Sequence, residues 1–336
     1  MKTQPSLNDI NERQNQPEFI GLLKAADAAY SYARRADSAR ILITLASLVM
    51  AIVAAIRSDL ANPLAVAGAV GAVVNETIRR IGTVPWSRTG MLLQERFDTE
   101  LFGLKWKPSV GQKPRDEDRH HWERRFRGDA SQKPDWYIDV RGLPRGHAVL
   151  LCQRENASWD ARLRRLWGTG LLGAAFLWIA AGLVIGVAAD WHVWDLVVRW
   201  LTPSASALLL AFGSGFKHRE IADEKEALIT RIEEQLESAP VRSARADKRL
   251  LALARDFQDE LSRLRAEESR VPGSLYQRLR GEYEDAAAAA AKNWRDKLRR
   301  DLGKTDEQAD AEDLADVAHD AKAAQVSSPP PPNSLP

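Results

Sequence analysis

Leu166 to Ala189 reads LWGTGLLGAAFLWIAAGLVIGVAA, a run without a single charged side chain. At 1.5 Å per residue a helix over this run is about 36 Å long, and about 20 residues suffice to cross the ~30 Å hydrocarbon core of a bilayer. Three further stretches are almost as apolar: Ile41–Ile56 (ILITLASLVMAIVAAI), Leu60–Val74 (LANPLAVAGAVGAVV) and Trp200–Phe216 (WLTPSASALLLAFGSGF). They are shorter, and cross only by recruiting flanking residues or by thinning the bilayer. Lengths like these also suit buried helices of a soluble protein, but two features weigh against that reading. The stretches pair as hairpins, with only Arg57, Ser58 and Asp59 between the first two. Their flanks are also asymmetric in charge. Arg34, Arg35, Arg40, Arg79, Arg80, Arg88, Arg162, Arg164, Arg165, Lys217 and Arg219 fall on one side if every stretch spans, against Arg57 and Arg199 on the other. This bias places both termini and the central segment in the cytosol. Trp167 near one face, and Trp191, Trp194 and Trp200 near the other, suit the aromatic belts of a bilayer.

The averages conceal this pattern. The 336 residues carry 48 Lys and Arg against 46 Asp and Glu, a net charge of +2. Mean hydropathy is −0.36, as for a soluble enzyme. The near-balance of charge argues against a nucleic-acid coat protein, so no direct DNA or RNA binding is expected. The single cysteine, Cys152, excludes an internal disulfide framework and a cysteine metal cluster. It is expected to be a small buried hydrophobe in reducing cytosol. The first 40 residues are polar and show no secretory signal, which points to a bacterial inner (cell) membrane.

The expected fold is an all-α polytopic membrane protein: four transmembrane helices in two hairpins, with an α-helical cytosolic region. Residues 1–40 read as a cytosolic helix that enters the membrane without a break, with Pro17 in its first turn. The first hairpin then covers 41–78. Residues 79–165 read as a cytosolic subdomain, punctuated by prolines 85, 108, 114, 134 and 144 into short pieces, and ending in a helix that leads into span three. The second hairpin covers 166–216. In the cytosolic helices of 217–300, Leu228, Ile232 and Leu236 form one stripe, and Leu250, Ala254, Phe257, Leu261 and Leu264 form a heptad seam. That seam suits intramolecular packing and a coiled-coil dimer equally. From Asp301 onward eight acids face Lys304 and Lys322, and the chain ends in SSPPPPNSLP, so 301–336 read as a disordered tail.

Several motifs fail on context. Gly168-Thr-Gly-Leu-Leu-Gly173 has the G-x-G-x-x-G spacing of a phosphate loop, yet it follows an Arg-rich helix and lies inside span three. His120-His121 has no further histidine at ligand spacing, so no metal site is expected. No serine or cysteine has a base partner, and the chain reads as a non-enzyme without a cofactor. Gly182 and Gly186 form a GxxxG pair, and Gly68, Ala72, Ser204, Ala211 and Gly215 continue small-residue faces on the second and fourth spans. Compact helix packing is one reading of these faces, and a pore lined by them after rearrangement is the other. The segments Leu93–Trp106, Asp135-Trp136-Tyr137 and Leu151–Asp160 mix aromatics with Gln, Asn, Arg and Asp. That mixture suits a buried polar network or recognition of a planar, anionic ligand.

These segments, together with Arg13-Gln14-Asn15, Phe97-Asp98, Cys152-Gln153-Arg154-Glu155-Asn156, Trp159-Asp160, Phe257-Gln258-Asp259, Arg265, Pro272, Leu275-Tyr276 and Arg280, stand in the order of a known family. The chain resembles the SMODS-associated four-transmembrane effector family, a CBASS-type anti-phage membrane effector, over about residues 10–295. Lys105 and Lys107 depart from the family's proline and asparagine around the Trp106 position, and Ile138 replaces a proline. The resemblance implies a functional link to a cGAS-like nucleotidyltransferase that makes a cyclic oligonucleotide, which the effector answers by breaching the inner membrane as a homo-oligomer in the lipid bilayer. Candidate ligand contacts are Arg96, Gln153, Arg154 and Asn156 for phosphates and base edges, with Trp136 or Trp159 stacking. A scaffold that docks a cytosolic partner is the rival reading. A transporter is the weaker one, because the spans carry no charge at mid-membrane.

Overall fold

A computed structural model describes residues 8–158, 161–267 and 289–302. No β-strand occurs among them, residues 289–302 are helical, and ten further α-helices account for most of the described chain. They are α1 (Ile10–Arg13), α2 (Pro17–Ile56), α3 (Ala61–Ile78), α4 (Val84–Phe102), α5 (Asp116–Glu123), α6 (Arg145–Ser158), α7 (Ala161–Ala188), α8 (Val193–Leu196), α9 (Ala205–Ser238) and α10 (Ala244–Glu267).

Pro17 starts α2, where a missing N–H costs nothing, and the helix then runs unbroken for 40 residues. Its first half is buried in a polar body through Phe19, Leu22, Leu23, Ala26 and Ala29. Its second half exposes Leu42, Leu45, Val49 and Ile52, as a lipid-facing surface would. A short turn, Ser58–Leu60, reverses the chain into α3. A π-turn over Arg79–Thr83 then joins α3 to α4. Here the structure departs from the sequence reading, because residues 84–102 form one regular helix rather than short pieces. Pro85 sits in the first turn of α4 and initiates the helix instead of breaking it. The helix stops at Gly103, whose φ of +67° suits a residue without a Cβ.

Two helices are long and apolar enough to cross a membrane, α2 and the stretch Arg145–Ala188, and the bent pair Val193–Leu201 with α9 counts as a third if taken as one span. The 18-residue α3, about 27 Å long, falls outside that group. The fourth apolar stretch is not one straight rod. A bend of 77° separates Val193–Leu201 from α9, so Ala205–Phe216 is its straight apolar part.

The bend explains a second departure. Trp200, expected in an aromatic belt, is only 4% exposed. Its ring stacks on Trp178 at 4.5 Å, and its Nε1 donates to the Trp178 carbonyl at 3.0 Å. A Cβ added to Gly182 would lie 2.3 Å from that ring, so Gly182 is a cradle for an indole rather than a point of helix–helix approach. Gly186 faces Trp191 and Leu196 at 3.6–3.8 Å. True backbone approach occurs elsewhere: a Cβ on Gly168 would meet the Gly215 carbonyl at 2.7 Å, and one on Gly68 would meet Pro203 at 2.5 Å. Ser204 is fully buried and its hydroxyl donates to the Trp200 carbonyl at 2.6 Å, which caps the bend. Ala72 and Ala211 are half-buried.

The hairpins are staggered. Asn75, at the charged end of α3, donates to Ser206 Oγ at 2.8 Å. Ser206 belongs to the first turn of α9, whereas Lys217 marks the charged end of its apolar part, about 16 Å further along the axis. Ile81 and Val84, beyond the charges of α3, are again apolar and exposed.

In the polar body, α10 lays its seam of Leu250, Ala254, Phe257, Leu261 and Leu264 into the core shared with Leu150, Leu151 and Cys152 of α6 and Leu228, Ile232 and Leu236 of α9. The heptad therefore packs within the chain. Helix α6 ends at Ser158 and α7 begins at Ala161, so the expected passage of one helix through Trp159 and Asp160 lies outside the described residues. The same holds for Pro272, Leu275, Tyr276, Arg280 and the acidic tail from residue 303 onward, whereas Asp301 and Leu302, counted in the disordered tail, end a helical stretch instead.

Overpacking a tight helix contact costs about 1–3 kcal/mol. Gly182→Leu and Gly68→Leu are therefore expected to lower the melting temperature of the detergent-solubilised protein by several degrees. Gly170→Leu, where nothing lies within 4 Å of the added Cβ, should leave it unchanged.

Candidate functional site: buried polar centres below the apolar hairpins

Two carboxylates lie on one face of α4, at Glu95 and Asp98, three residues apart and both fully buried. Buried charge is tolerated only when paired and hydrogen-bonded. Helix α10 supplies the partners from a polar stripe, Arg255, Gln258, Ser262 and Arg265, whose 3-4-3 spacing runs beside the apolar seam. Arg265 Nη1 lies 2.6 Å from Asp98 Oδ2. Gln258 Nε2 donates to Glu95 Oε2 at 2.6 Å and to Asp98 Oδ2 at 3.2 Å. Ser262 Oγ donates to Glu95 Oε2, and Arg255 Nη2 sits 3.1 Å from Glu95 Oε1. Tyr137 completes the centre by donating its hydroxyl to Asp98 Oδ1 at 2.7 Å. Burial raises the Glu95 carboxyl above the ordinary range, Arg265 pulls it back, and Asp98 adds to the rise. Burial also pushes the Tyr137 phenol well up, with Asp98 reinforcing the effect. Burial works against the charged Arg265 guanidinium, but Asp98, Tyr137 and Glu95 outweigh it and hold the proton more firmly than usual.

A second set of polar side chains fixes the segment that carries Tyr137. Gln14 pairs with both backbone groups of Tyr137, accepting from its N at 2.8 Å and donating to its carbonyl at 3.2 Å. Asn11 does the same across Ile138 and Val140, and Asn15 accepts from Asp135 N at 2.8 Å. Arg13 donates to the Leu101 and Glu100 carbonyls at the end of α4. Amide side chains here replace the neighbouring strand that an extended segment would otherwise need.

A third centre sits where the hairpins begin. Arg40 of α2 donates to Asn75 Oδ1 at 2.8 Å and pairs with Asp37 at 3.0 Å. Asn75 Nδ2 in turn reaches Ser206 of α9 and, at 3.3 Å, Thr44 of α2. Thr83 in the π-turn donates to Asp37 at 2.9 Å. One amide thus ties α2, α3 and α9 together.

Against this geometry the residues singled out as ligand contacts separate. Gln153 and Asn156 of α6 join the Glu95–Asp98 centre. Gln153 Nε2 donates to Gln258 Oε1 at 3.0 Å, and Asn156 Nδ2 donates to the Tyr137 hydroxyl at 3.0 Å. Arg154 lies apart, 7% exposed and paired with Glu233 at 2.7 Å. Arg96 is elsewhere again, held by Glu100 at 2.9 Å, Asp116 at 2.7 Å and the Pro114 carbonyl at 3.2 Å. Trp136 is half-buried with Lys133 Nζ 5.8 Å from its ring, and Trp159 lies outside the described residues. The six therefore do not converge on one open surface. Ser262 and the tie made by Asn75 escaped the sequence reading, Glu95 entered it only as part of the Leu93–Trp106 segment and Arg40 only as a flanking charge, although the polar stripe on α10 was a visible signal. No group of three or more His, Cys, Asp or Glu able to hold a metal occurs among the described residues.

Comparison with known proteins fits this architecture. The chain matches the family model of the SMODS-associating 4TM effector domain over residues 8–294. It is 24% identical over 261 residues to a probable CBASS effector molecule of Bacillus cereus (strain VD146), an alignment that covers 74% of this chain and 85% of that protein. No solved structure matches it.

Removing one member of a buried pair costs about 3–5 kcal/mol, whereas removing both is far milder. Arg265→Met is expected to destabilise the protein on that scale in thermal or denaturant unfolding, and Asp98→Asn added to it should recover part of the loss. The pH dependence has a definite sign. Burial lifts the Glu155 carboxyl from 4.5 to about 7, against hydrogen bonding from Ile138 N and the charge of Arg154. Between these values the native state holds a proton that the unfolded chain releases. The contribution of Glu155 to stability is therefore fully present below pH 4.5 and is lost as pH rises to about 7. Glu155→Gln should flatten the melting temperature measured across that window.

Proposed function

The chain belongs to the SMODS-associating 4TM effector family, and from that premise we propose that it is a membrane effector of CBASS-type anti-phage defence which answers a nucleotide second messenger by opening the bacterial inner membrane. In this reading α2, α3, α7 and the bent Val193–α9 unit all span, with both termini and the polar body in the cytosol. The positive charges that flank the apolar stretches support that orientation.

The observation that carries the proposal is mechanical. Helices α2 and α9 run without a break from the core of the polar body into the apolar hairpins, at 40 and 34 residues. A third path, α4, reaches α3 through the π-turn. Helices that cross the membrane surface unbroken carry a shift at one end to the other, because packed cores switch between discrete arrangements rather than deforming smoothly. A messenger opens such a device only by binding the open arrangement more tightly than the closed one. Moving the population from 1:99 to 99:1 needs a difference of about 5.5 kcal/mol. Assembly of several copies supplies the walls of an aqueous path, since one copy packs its helices on tight glycine contacts. The partner implied is the cyclic-oligonucleotide synthase, which is linked to the effector through the diffusing product.

Purified protein reconstituted in liposomes loaded with a self-quenched dye tests the reading. Addition of cyclic di- or trinucleotides is expected to release dye from proteoliposomes and not from empty vesicles. A scaffold would leave the vesicles sealed under every nucleotide, and that result would remove the effector reading.

A further inference from the structure

A groove of about 540 Å³ opens between α4 and the start of α5. Thr89, Leu92 and Leu93 come from α4; Gln112, Lys113, Pro114 and Arg115 come from the loop; Asp118 and Trp122 come from α5. The volume lies in the range of small-molecule sites. The chemistry is mixed in a specific way, with an apolar floor, one indole and cations from the loop. Arg115 makes no ion pair among the described residues, and Lys113 is held by Glu100 at 2.8 Å. Arg88, also without an ion pair among the described residues, lies against Gly111 beside the groove. The Asp118 carboxylate is committed, since it accepts the Arg115 backbone N–H at 2.8 Å. The loop is held in shape by Trp106 Nε1 donating to the Gly111 carbonyl at 3.0 Å and by Arg96 donating to the Pro114 carbonyl.

We propose that this groove binds a phosphate-bearing ligand whose planar or apolar portion rests against Trp122 while its phosphate faces Arg115 and Lys113. Guanidinium and ammonium groups beside an aromatic face suit such a molecule. Two sources present this chemistry, a soluble nucleotide and the headgroup of an anionic lipid. The position admits both, because Thr89 lies about 8 Å along α4 from Val84, an exposed apolar side chain next to the apolar hairpin. The groove is also connected to the hairpins. Trp122 meets Tyr32 of α2 edge-on at 5.6 Å, and Tyr32 meets Trp86, in the first turn of α4, at 5.7 Å. A ligand that displaces Trp122 therefore presses on both helices just below their apolar parts. The nucleotide source rests on the effector reading above, and the lipid source does not.

The test uses the full chain in nanodiscs. In one arm the discs are zwitterionic and cyclic di- and trinucleotides are titrated by calorimetry. In the other the discs are doped with phosphatidylglycerol and thermal stabilisation is read. In the arm where wild type responds, Arg115→Glu is expected to weaken the response at least about tenfold, the value of one charge-assisted contact. Trp122→Ala should do likewise, with Trp122→Phe keeping most of the response as a check on folding. Arg124→Glu, the same charge reversal outside the groove, should stay near wild type. If nucleotides bind equally well to Arg115→Glu and Trp122→Ala in the discs, and both variants release dye from the liposomes described above as wild type does, the groove is wrong and the effector reading stands. If only the lipid arm responds and both substitutions abolish it, the groove stands as a lipid site and nucleotide gating falls. No response of wild type in either arm overturns the proposal.

Discussion

Glu95 and Asp98 are sealed from water on one face of a helix that continues, through a π-turn, from the apolar hairpin. Neither carboxylate can be left there alone, and the partners come from far along the chain: Tyr137 from an extended segment, Asn156 and Gln153 from α6, and Arg255, Gln258, Ser262 and Arg265 from α10. Satisfying two charges therefore dictates how the polar body closes around α4. It also fixes which face of α10 points inward, because its polar and apolar stripes are adjacent and must be buried together. Burying so much polarity is a poor route to stability and a good route to a single arrangement, since a slipped register would strand a charge.

The same economy recurs at the boundary of the hairpins, where Asn75 is shared by Arg40, Thr44 and Ser206. Between these two centres run α2, α4 and α9, all regular helices. The molecule is thus two polar clamps joined by stiff rods. Clamps of this kind hold one arrangement until a competing contact is offered, which is the property a latent membrane effector needs.

The apolar stretches, the unbroken entry of α2 from Pro17 and the burial of Cys152 were legible because each is written in local pattern. The bend at Pro203 was not, because the residues around it are as apolar as any span and only the pocket at Gly182 explains why Trp200 turns inward. Helix α4 was hidden by Pro85, which has opposite meanings in the first turn of a helix and in its middle. Gln153, Arg154, Asn156 and Arg96 stand in segments whose composition leaves a buried network and a ligand site equally open, because their partners, Gln258, Glu233, Tyr137 and Asp116, are tertiary and carry no local signature. The groove beside Trp122 went unread for a related reason: its wall comes from a loop whose residues look merely solvated.

The stagger of the hairpins reaches beyond the protein. Where the charges of α3 meet the first turn of α9, the apolar belt of one hairpin ends well before that of the other. Lipids on the two sides of the molecule must then reach to different depths, and a bilayer resists such a step elastically, at a fraction of a kcal/mol for each Å of mismatch. Two copies that share a rim deform less membrane than two that stand apart. In a bilayer, the unequal depth of the two apolar faces is thus by itself a weak attraction between like molecules, independent of any contact between their side chains.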